Sequence, residues 1–110
     1  MRPSHYLGYD RDQIGVHLLE REAFELAEAQ FRRAVWVNPY EAAFKVHWAI
    51  ALIKLGRKDE AHDLLGKVLQ ECPNNSVARL WWDRYWPDES LPAPEGSASP
   101  DGQGGPAGVA

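Results

Sequence analysis

The sequence contains a single cysteine and lacks any long apolar run. Cys72 has no second cysteine with which to form an intrachain disulfide, so we expect a reducing compartment. The longest apolar stretch, residues 40–55, is shorter than a membrane-spanning helix and carries two lysines. The N-terminal residues lack the apolar core of a secretion signal. We therefore expect a cytoplasmic protein that does not insert into a membrane.

Basic residues are few and dispersed. The chain has 12 Lys and Arg against 16 Asp and Glu, which gives a formal net charge of −4. No run of basic residues is longer than a pair, as at Arg32 and Arg33 or at Arg57 and Lys58. Because nucleic acids are bound through basic patches, we expect no nucleic-acid partner.

Motifs of catalysis and of metal or cofactor binding are also missing. His17, His47 and His62 lie in three different predicted helices, and none has a metal-ligating partner four residues away. There is no Ser-His-Asp arrangement, phosphate-binding loop or glycine fingerprint. Asp59 and Asp63 flank His62, which we interpret as a solvated helix face. The sequence therefore predicts no enzyme activity, no metal site and no cofactor.

The composition divides the chain into three regions. Residues 1–9 form an N-terminal lead-in with one proline and one glycine, and residues 10–86 carry the apolar groups of one helical domain. Residues 87–110 are rich in Pro, Gly and Ser and have little to bury. Such a tail is expected to be disordered in isolation, because burial cannot offset the entropy cost of ordering it.

Capping and helix-breaking residues divide residues 10–86 into five predicted helices. Asp10 and Gln13 resemble a capping box that starts the first helix near Arg11. Asn38 is a favourable N-cap for the third helix, and Gly56 is its expected C-terminal glycine. The predicted helices cover residues 11–22, 23–37, 40–55, 58–71 and 76–85.

The apolar pattern predicts which side of each helix faces the core. The third helix is apolar on both sides, which is typical of a buried central helix. Ile14, Leu18 and Leu19 provide the apolar face of the first helix. Leu26 belongs to the apolar stripe of the second helix, and Glu28 lies on its polar side, in a predicted surface pair with the arginine four residues on.

Small and apolar residues recur at a period of 34 residues. Matching pairs and triplets across the units are Pro39 and Pro73, Ala27 and Ala61, Gly15 and Ala49, Phe31 and Leu65, and Ile14, Trp48 and Trp82. A period of this length with two helices per unit resembles the tetratricopeptide repeat (TPR) family. The resemblance covers residues 8–86, as two whole repeats and the first helix of a third. It implies an all-α fold of antiparallel helical hairpins stacked as a short α-solenoid.

The resemblance also implies where a partner binds. In the family, the first helix of each unit lines a concave inner surface that binds peptides. The corresponding residues are Tyr9, Asp12, Val16, Ala43, Val46, His47, Ile50, Val77, Leu80, Trp81 and Arg84. The family's Lys, Asn and Arg clamp for the acidic tail of heat-shock chaperones is absent, so we do not expect that partner. Either the inner surface binds an apolar or helical segment of another protein, or neighbouring helices and the lead-in fill it.

Aromatic residues are concentrated at the end of the last helix. Trp82 shares the register of Trp48 and is predicted to pack inward, which leaves Trp81, Tyr85 and Trp86. Exposed aromatic clusters mark interfaces; alternatively, the tail folds back and covers these rings. Trp36, at a position that is usually charged in the family, is either a further interface residue or a lone exposed ring.

These features predict a non-enzymatic protein–protein interaction module. We expect a small adaptor or assembly factor that docks a partner protein through its concave surface and its Trp-rich C-terminal helix. The alternative is a structural subunit of a larger complex or a self-associating homo-oligomer.

Overall fold

The computed structural model describes residues 5–93, and this part of the chain is all-helical. Its helices are α1 (Tyr9–Glu20), α2 (Phe24–Val37), α3 (Ala42–Lys54), α4 (Lys58–Glu71) and α5 (Ser76–Tyr85). Each helix packs against the next, and α3 also contacts α1 and α5. The arrangement confirms the all-α fold of stacked helical hairpins. Residues 1–4 of the lead-in and 94–110 of the tail lie outside the described residues.

Helix α3 is the centre of the core, as its two-sided apolar pattern predicts. Its buried residues are Phe44, Val46, Ala49, Ile50, Ala51, Leu52 and Ile53. On one side, Ala51 joins Ala27 and Phe31 of α2. On the other side, α3 packs with α4 and α5 in a larger cluster that includes Leu65 and Trp82. Helix α3 is therefore packed between α2 on one side and α4 and α5 on the other.

The predicted start of α1 is wrong by two residues. The helix begins at Tyr9 after Gly8, whose φ of 96° is left-handed, and no side chain caps it. The Gly8 carbonyl accepts the first helical hydrogen bond from the Asp12 amide at 2.9 Å. A Cβ on Gly8 would lie 2.9 Å from Cε2 of Phe44. Glycine therefore lets the chain turn into the helix against α3, and the predicted capping box does not form.

Asn38 is not the N-cap of α3, although the sequence favours it. The N-cap is Glu41, whose carboxylate accepts a hydrogen bond from the Ala43 amide at 3.3 Å. Asn38 is buried instead. Its side-chain amide donates to the Leu7 carbonyl at 3.0 Å, and its side-chain oxygen accepts from the Tyr40 amide. Asn38 therefore ties the lead-in to the turn between α2 and α3.

Three side chains lie on the opposite side of their helix from the one predicted. Ile14 and Leu26 are 49% and 62% exposed, whereas Glu28 is only 5% exposed. Small residues take the inward positions next to them, because Gly15 and Ala27 are buried where α1 meets α2. Ile14 shares the register of residues that pack on a preceding hairpin, and in the described chain no hairpin precedes α1.

The 34-residue period extends to the backbone of the turns inside the hairpins. Glu22 has a φ of 63° and Gly56 a φ of 81°, both left-handed. Each turn is closed by the same two backbone hydrogen bonds. They run from the amides of Glu22 and Ala23 to the carbonyls of Leu19 and Leu18, and from those of Gly56 and Arg57 to the carbonyls of Ile53 and Leu52. Glu22 thus occupies a position that favours glycine.

We predict that Glu22→Gly stabilises the protein. A left-handed residue with a Cβ is strained by about 1–2 kcal/mol, and the extra freedom of glycine in the unfolded chain offsets part of the gain. The free energy of unfolding should rise by about 0.5–1 kcal/mol in urea titrations followed by circular dichroism. The matched control is Glu25→Gly, which lies in the first turn of α2 and should cost up to about 1 kcal/mol, because its backbone is already helical. Equal losses of free energy of unfolding in the two variants would show that the left-handed backbone at Glu22 carries no strain.

Gly15 and Phe31 form a contact that fixes the distance between α1 and α2. A Cβ on Gly15 would lie less than 3.0 Å from three carbons of the Phe31 ring, and that ring is fully buried. In the second hairpin, the corresponding pair is Ala49 and Leu65. The larger alanine is thus matched by a smaller partner, which suggests that the two positions compensate each other.

We predict that Gly15→Ala destabilises the protein and that Phe31→Leu relieves part of the loss. Overpacking costs about 1–3 kcal/mol, while the helix propensity of alanine returns up to about 1 kcal/mol. The double variant, which copies the pair of the second hairpin, should lose less free energy of unfolding than the sum of the single variants. A double-mutant cycle in urea measures this coupling. Additive losses would show that the two positions do not compensate.

Candidate interaction surfaces

The α1 part of the predicted inner surface is bonded to α3. The Tyr9 hydroxyl donates to Oε1 of Glu41 at 2.7 Å, and the Tyr9 ring meets Phe44 edge-on, with centroids 5.0 Å apart. The hydrogen bond to the carboxylate raises the pKa of Tyr9 above its usual 10.0. The hydrogen bond therefore favours the neutral phenol. Its contribution to the stability of the fold is complete below pH 10.0 and is lost as the pH rises through the higher pKa of Tyr9 in the folded protein.

Further along the same surface, side chains of α1 and α3 pair with each other. Nδ1 of His47 lies 2.7 Å from Oδ1 of Asp12, and Val16 is half-buried against the cluster of α2 and α3. Val46 and Ile50, which are predicted binding residues, are buried in the core. Contacts between helices therefore occupy the polar groups of this part of the inner surface. The Tyr9 ring remains 49% exposed, but its hydroxyl is already bonded to Glu41.

The α5 part of the inner surface is open. Val77 and Leu80 are 46% and 57% exposed, and Arg84 beside them is exposed. Trp81 and Tyr85 are half-buried because they also pack against the core, and their rings stack with centroids 5.7 Å apart and planes 2° from parallel. We call these five residues the α5 face.

Three cations surround the aromatic pair of the α5 face. Nζ of Lys54 and Cζ of Arg84 lie 5.9 and 5.4 Å from the Trp81 ring centroid, and Nζ of Lys58 lies 5.4 Å from that of Tyr85. Lys54 and Lys58 could not be predicted at this site from the sequence, because they lie on other helices and no spacing relates them to α5. The packing of α3 and α4 beside α5 brings them to the rings.

The remaining aromatic residues at this end are covered by the chain itself. Trp82 is buried, as predicted, and its Nε1 donates to the Glu89 carbonyl at 3.4 Å. His62 was predicted on a solvated face, but its ring lies 4.7 and 5.0 Å from the Trp82 and Trp86 rings. Nε2 of His62 is 2.7 Å from Oε1 of Glu89. Residues 87–93, which we call the C-terminal segment, thus fold back over the last hairpin.

Trp48, which is half-buried, and Trp82, which is buried, mark equivalent junctions between successive hairpins. Nε1 of Trp48 donates to Oε2 of Glu28 at 2.8 Å, just as Trp82 packs on His62, and Glu28 and His62 are 34 residues apart. The Glu28 carboxylate is held further by Arg32 at 3.3 Å. Its burial, which the sequence pattern does not predict, therefore follows from its role as the acceptor for a tryptophan of the next unit.

Trp36 is separate from the surfaces described above. Its ring is exposed and borders a shallow pocket with Arg11, Arg33 and Val37. Helix α2, which carries it, does not contact α5. The structure therefore does not join Trp36 to the α5 face.

Residues 5–93 contain neither a membrane-spanning helix nor a cluster of metal ligands. None of the helices there is both long and apolar enough to cross a membrane. The same residues contain no group of three or more His, Cys, Asp or Glu side chains placed to hold a metal ion.

Comparison of the chain with models of protein families, with curated proteins and with solved structures gave no match.

We predict that the C-terminal segment stabilises the last hairpin. A chain ending at Trp86 loses the hydrogen bond to Trp82, the contact with His62 and the apolar cover of Pro92, which lies close to α4 at Gly66. Its free energy of unfolding should fall by about 1–3 kcal/mol, and its tryptophan emission should shift to the red. The control is a chain ending at Ala93. Equal stability and equal emission in the two chains would show that the segment is not a cover.

Proposed function

We propose that this protein is a non-enzymatic interaction module of the TPR type, a small adaptor or assembly factor that docks another protein. The observation that carries the proposal is the exposure of Val77 and Leu80 beside Trp81 on the last helix. The final helix of a repeat array normally carries a polar outer face for solubility. An apolar and aromatic face at that place is typical of a binding surface.

The repeated geometry supports the proposed relation to the TPR family. The 34-residue period is present in the small residues of the hairpins, in the left-handed turn positions Glu22 and Gly56, and in the tryptophan junctions at Trp48 and Trp82. The period is therefore a property of the backbone and of the packing as well as of the sequence.

We assign the partner contact to the α5 face and to Trp86, whose ring centroid lies 6.1 Å from that of Tyr85. The other predicted binding residues on α1 and α3 contact each other or the core, and we assign them to holding the helices in place. They are Tyr9, Val16, Val46, His47 and Ile50. The proposed ligand is an apolar or helical segment of another protein. The acidic tail of a heat-shock chaperone is not proposed, because Asp12 stands at a clamp position and would repel it.

Self-association is the alternative, and one feature opposes its simplest form. Ile14 is exposed at the α1 end and shares the register of Trp82, so a copy stacked head to tail would place its Ile14 on the last hairpin, where Trp82 packs on His62. The C-terminal segment already covers Trp82. This contact favours a foreign partner over an open stack of copies. A cytoplasmic location is also proposed, supported by the unpaired Cys72.

We predict that a photo-crosslinking amino acid at Leu80 captures a partner protein in an extract of the native cell. A matched probe at Leu26, which is as exposed but lies on α2, should not capture it. Purified protein should keep a mass of 12.4 kDa in light scattering across a concentration series.

Three results would contradict the adaptor proposal, and the first is that the Leu80 probe captures no protein. Equal capture from Leu26 and Leu80 would mean that the α5 face has no special role. A concentration-dependent dimer that Leu80→Ser dissociates and Leu26→Ser does not would show that the face is used between copies of the chain.

A further inference from the structure

The α5 face is locally basic in a chain that is acidic overall. The chain carries a net charge of −4, yet Lys54, Lys58 and Arg84 gather within 6 Å of the ring centroids of Trp81 and Tyr85. Three further cations are ion-paired within the described residues, namely Arg32 with Glu28, Lys45 with Glu71 at 3.6 Å and Arg57 with Glu60 at 2.7 Å. The concentration of positive charge beside an exposed apolar row is therefore a distinct property of this surface.

The cations of the α5 face have no carboxylate partner among the described residues. The ion pairs of residues 5–93 do not include Lys54, Lys58 or Arg84. The aromatic rings attract these cations through their π faces, but a ring does not neutralise a charge. Each cation therefore keeps its hydrogen-bond donors available for an incoming anion.

We propose that the α5 face binds an acidic amphipathic helical segment of a partner protein. Apolar side chains of the partner would pack on Val77, Leu80 and Trp81, while its Asp and Glu side chains would pair with the surrounding cations. The 10 residues of α5 span about 15 Å, which is the length of about three turns of a partner helix. This inference rests on the proposed function and specifies the chemistry of its partner.

A nucleic acid fits the same surface less well. Val77 and Leu80 offer aliphatic groups that need apolar side chains opposite them. The Trp81 and Tyr85 rings already stack on each other, which leaves less ring surface for a base. The net negative charge of the chain also opposes a polyanion over any longer distance.

The test is a selection of displayed helical peptides, about three turns long, on the full-length protein. Peptides that bind should be rich in Asp and Glu and should carry apolar residues at i, i+3, i+4 and i+7. Labelled peptides are then titrated by fluorescence anisotropy against the wild type, Arg84→Glu and Arg79→Glu. The last variant changes the same residue type to the same charge on the same helix, outside the α5 face.

We expect Arg84→Glu to weaken peptide binding at least about 10-fold and Arg79→Glu to change it less than about 2-fold, with stronger binding at low salt. Lys58→Glu should behave like Arg84→Glu. Circular dichroism checks that each variant keeps its helical content.

Three results would overturn the inference: selected peptides without an acidic excess, equal losses in Arg84→Glu and Arg79→Glu, or displacement of the peptide by a single-stranded oligonucleotide that itself needs Arg84. If the Leu80 probe still captures a partner in the extract, the proposed function stands and only the chemistry of the partner is wrong. If the probe captures nothing, both fail.

Discussion

The close approach of paired helices is the constraint on which the rest of this structure depends. Gly15 and Ala49 lie in the first helices of the two hairpins and Ala27 and Ala61 in the second, and all four are buried. Because these side chains are small, α3 is buried between its neighbours on both sides. The position of α3 then sets that of α5, and with it the place of Lys54 beside Trp81.

The junctions between hairpins use a second device, a tryptophan that reaches over the preceding unit. At the first junction, Glu28 is buried because it accepts the indole N–H of Trp48. At the second junction, His62 lies on the Trp82 ring. The Glu89 carbonyl accepts the indole N–H of Trp82, and the Glu89 carboxylate lies beside the His62 ring. Within residues 5–93, a segment without helix therefore covers Trp82 at the place that a further helix would take in a longer array.

The sequence predicts the bounds of the helices well, but it predicts less well which side chains face a neighbouring helix. The bounds of α4 and α5, the burial of α3 on both sides and the inward position of Trp82 follow from local patterns and from the 34-residue period. The burial of Glu28 and the exposure of Ile14 do not, because they depend on which hairpin lies next to each side chain. Lys58 was missed for the same reason, since its ring partner belongs to another helix.

The inner surface shows why only part of it is available for binding. At α1, the polar groups of Tyr9 and Asp12 are already paired with Glu41 and His47, so a partner would have to break those contacts before making its own. At α5, the apolar row is exposed and the cations rest on rings, so a partner adds contacts without removing any. Binding energy concentrates where few existing interactions must be given up. The same packing that occupies the polar groups of the α1 part thus favours the α5 face as the contact of the partner that we propose.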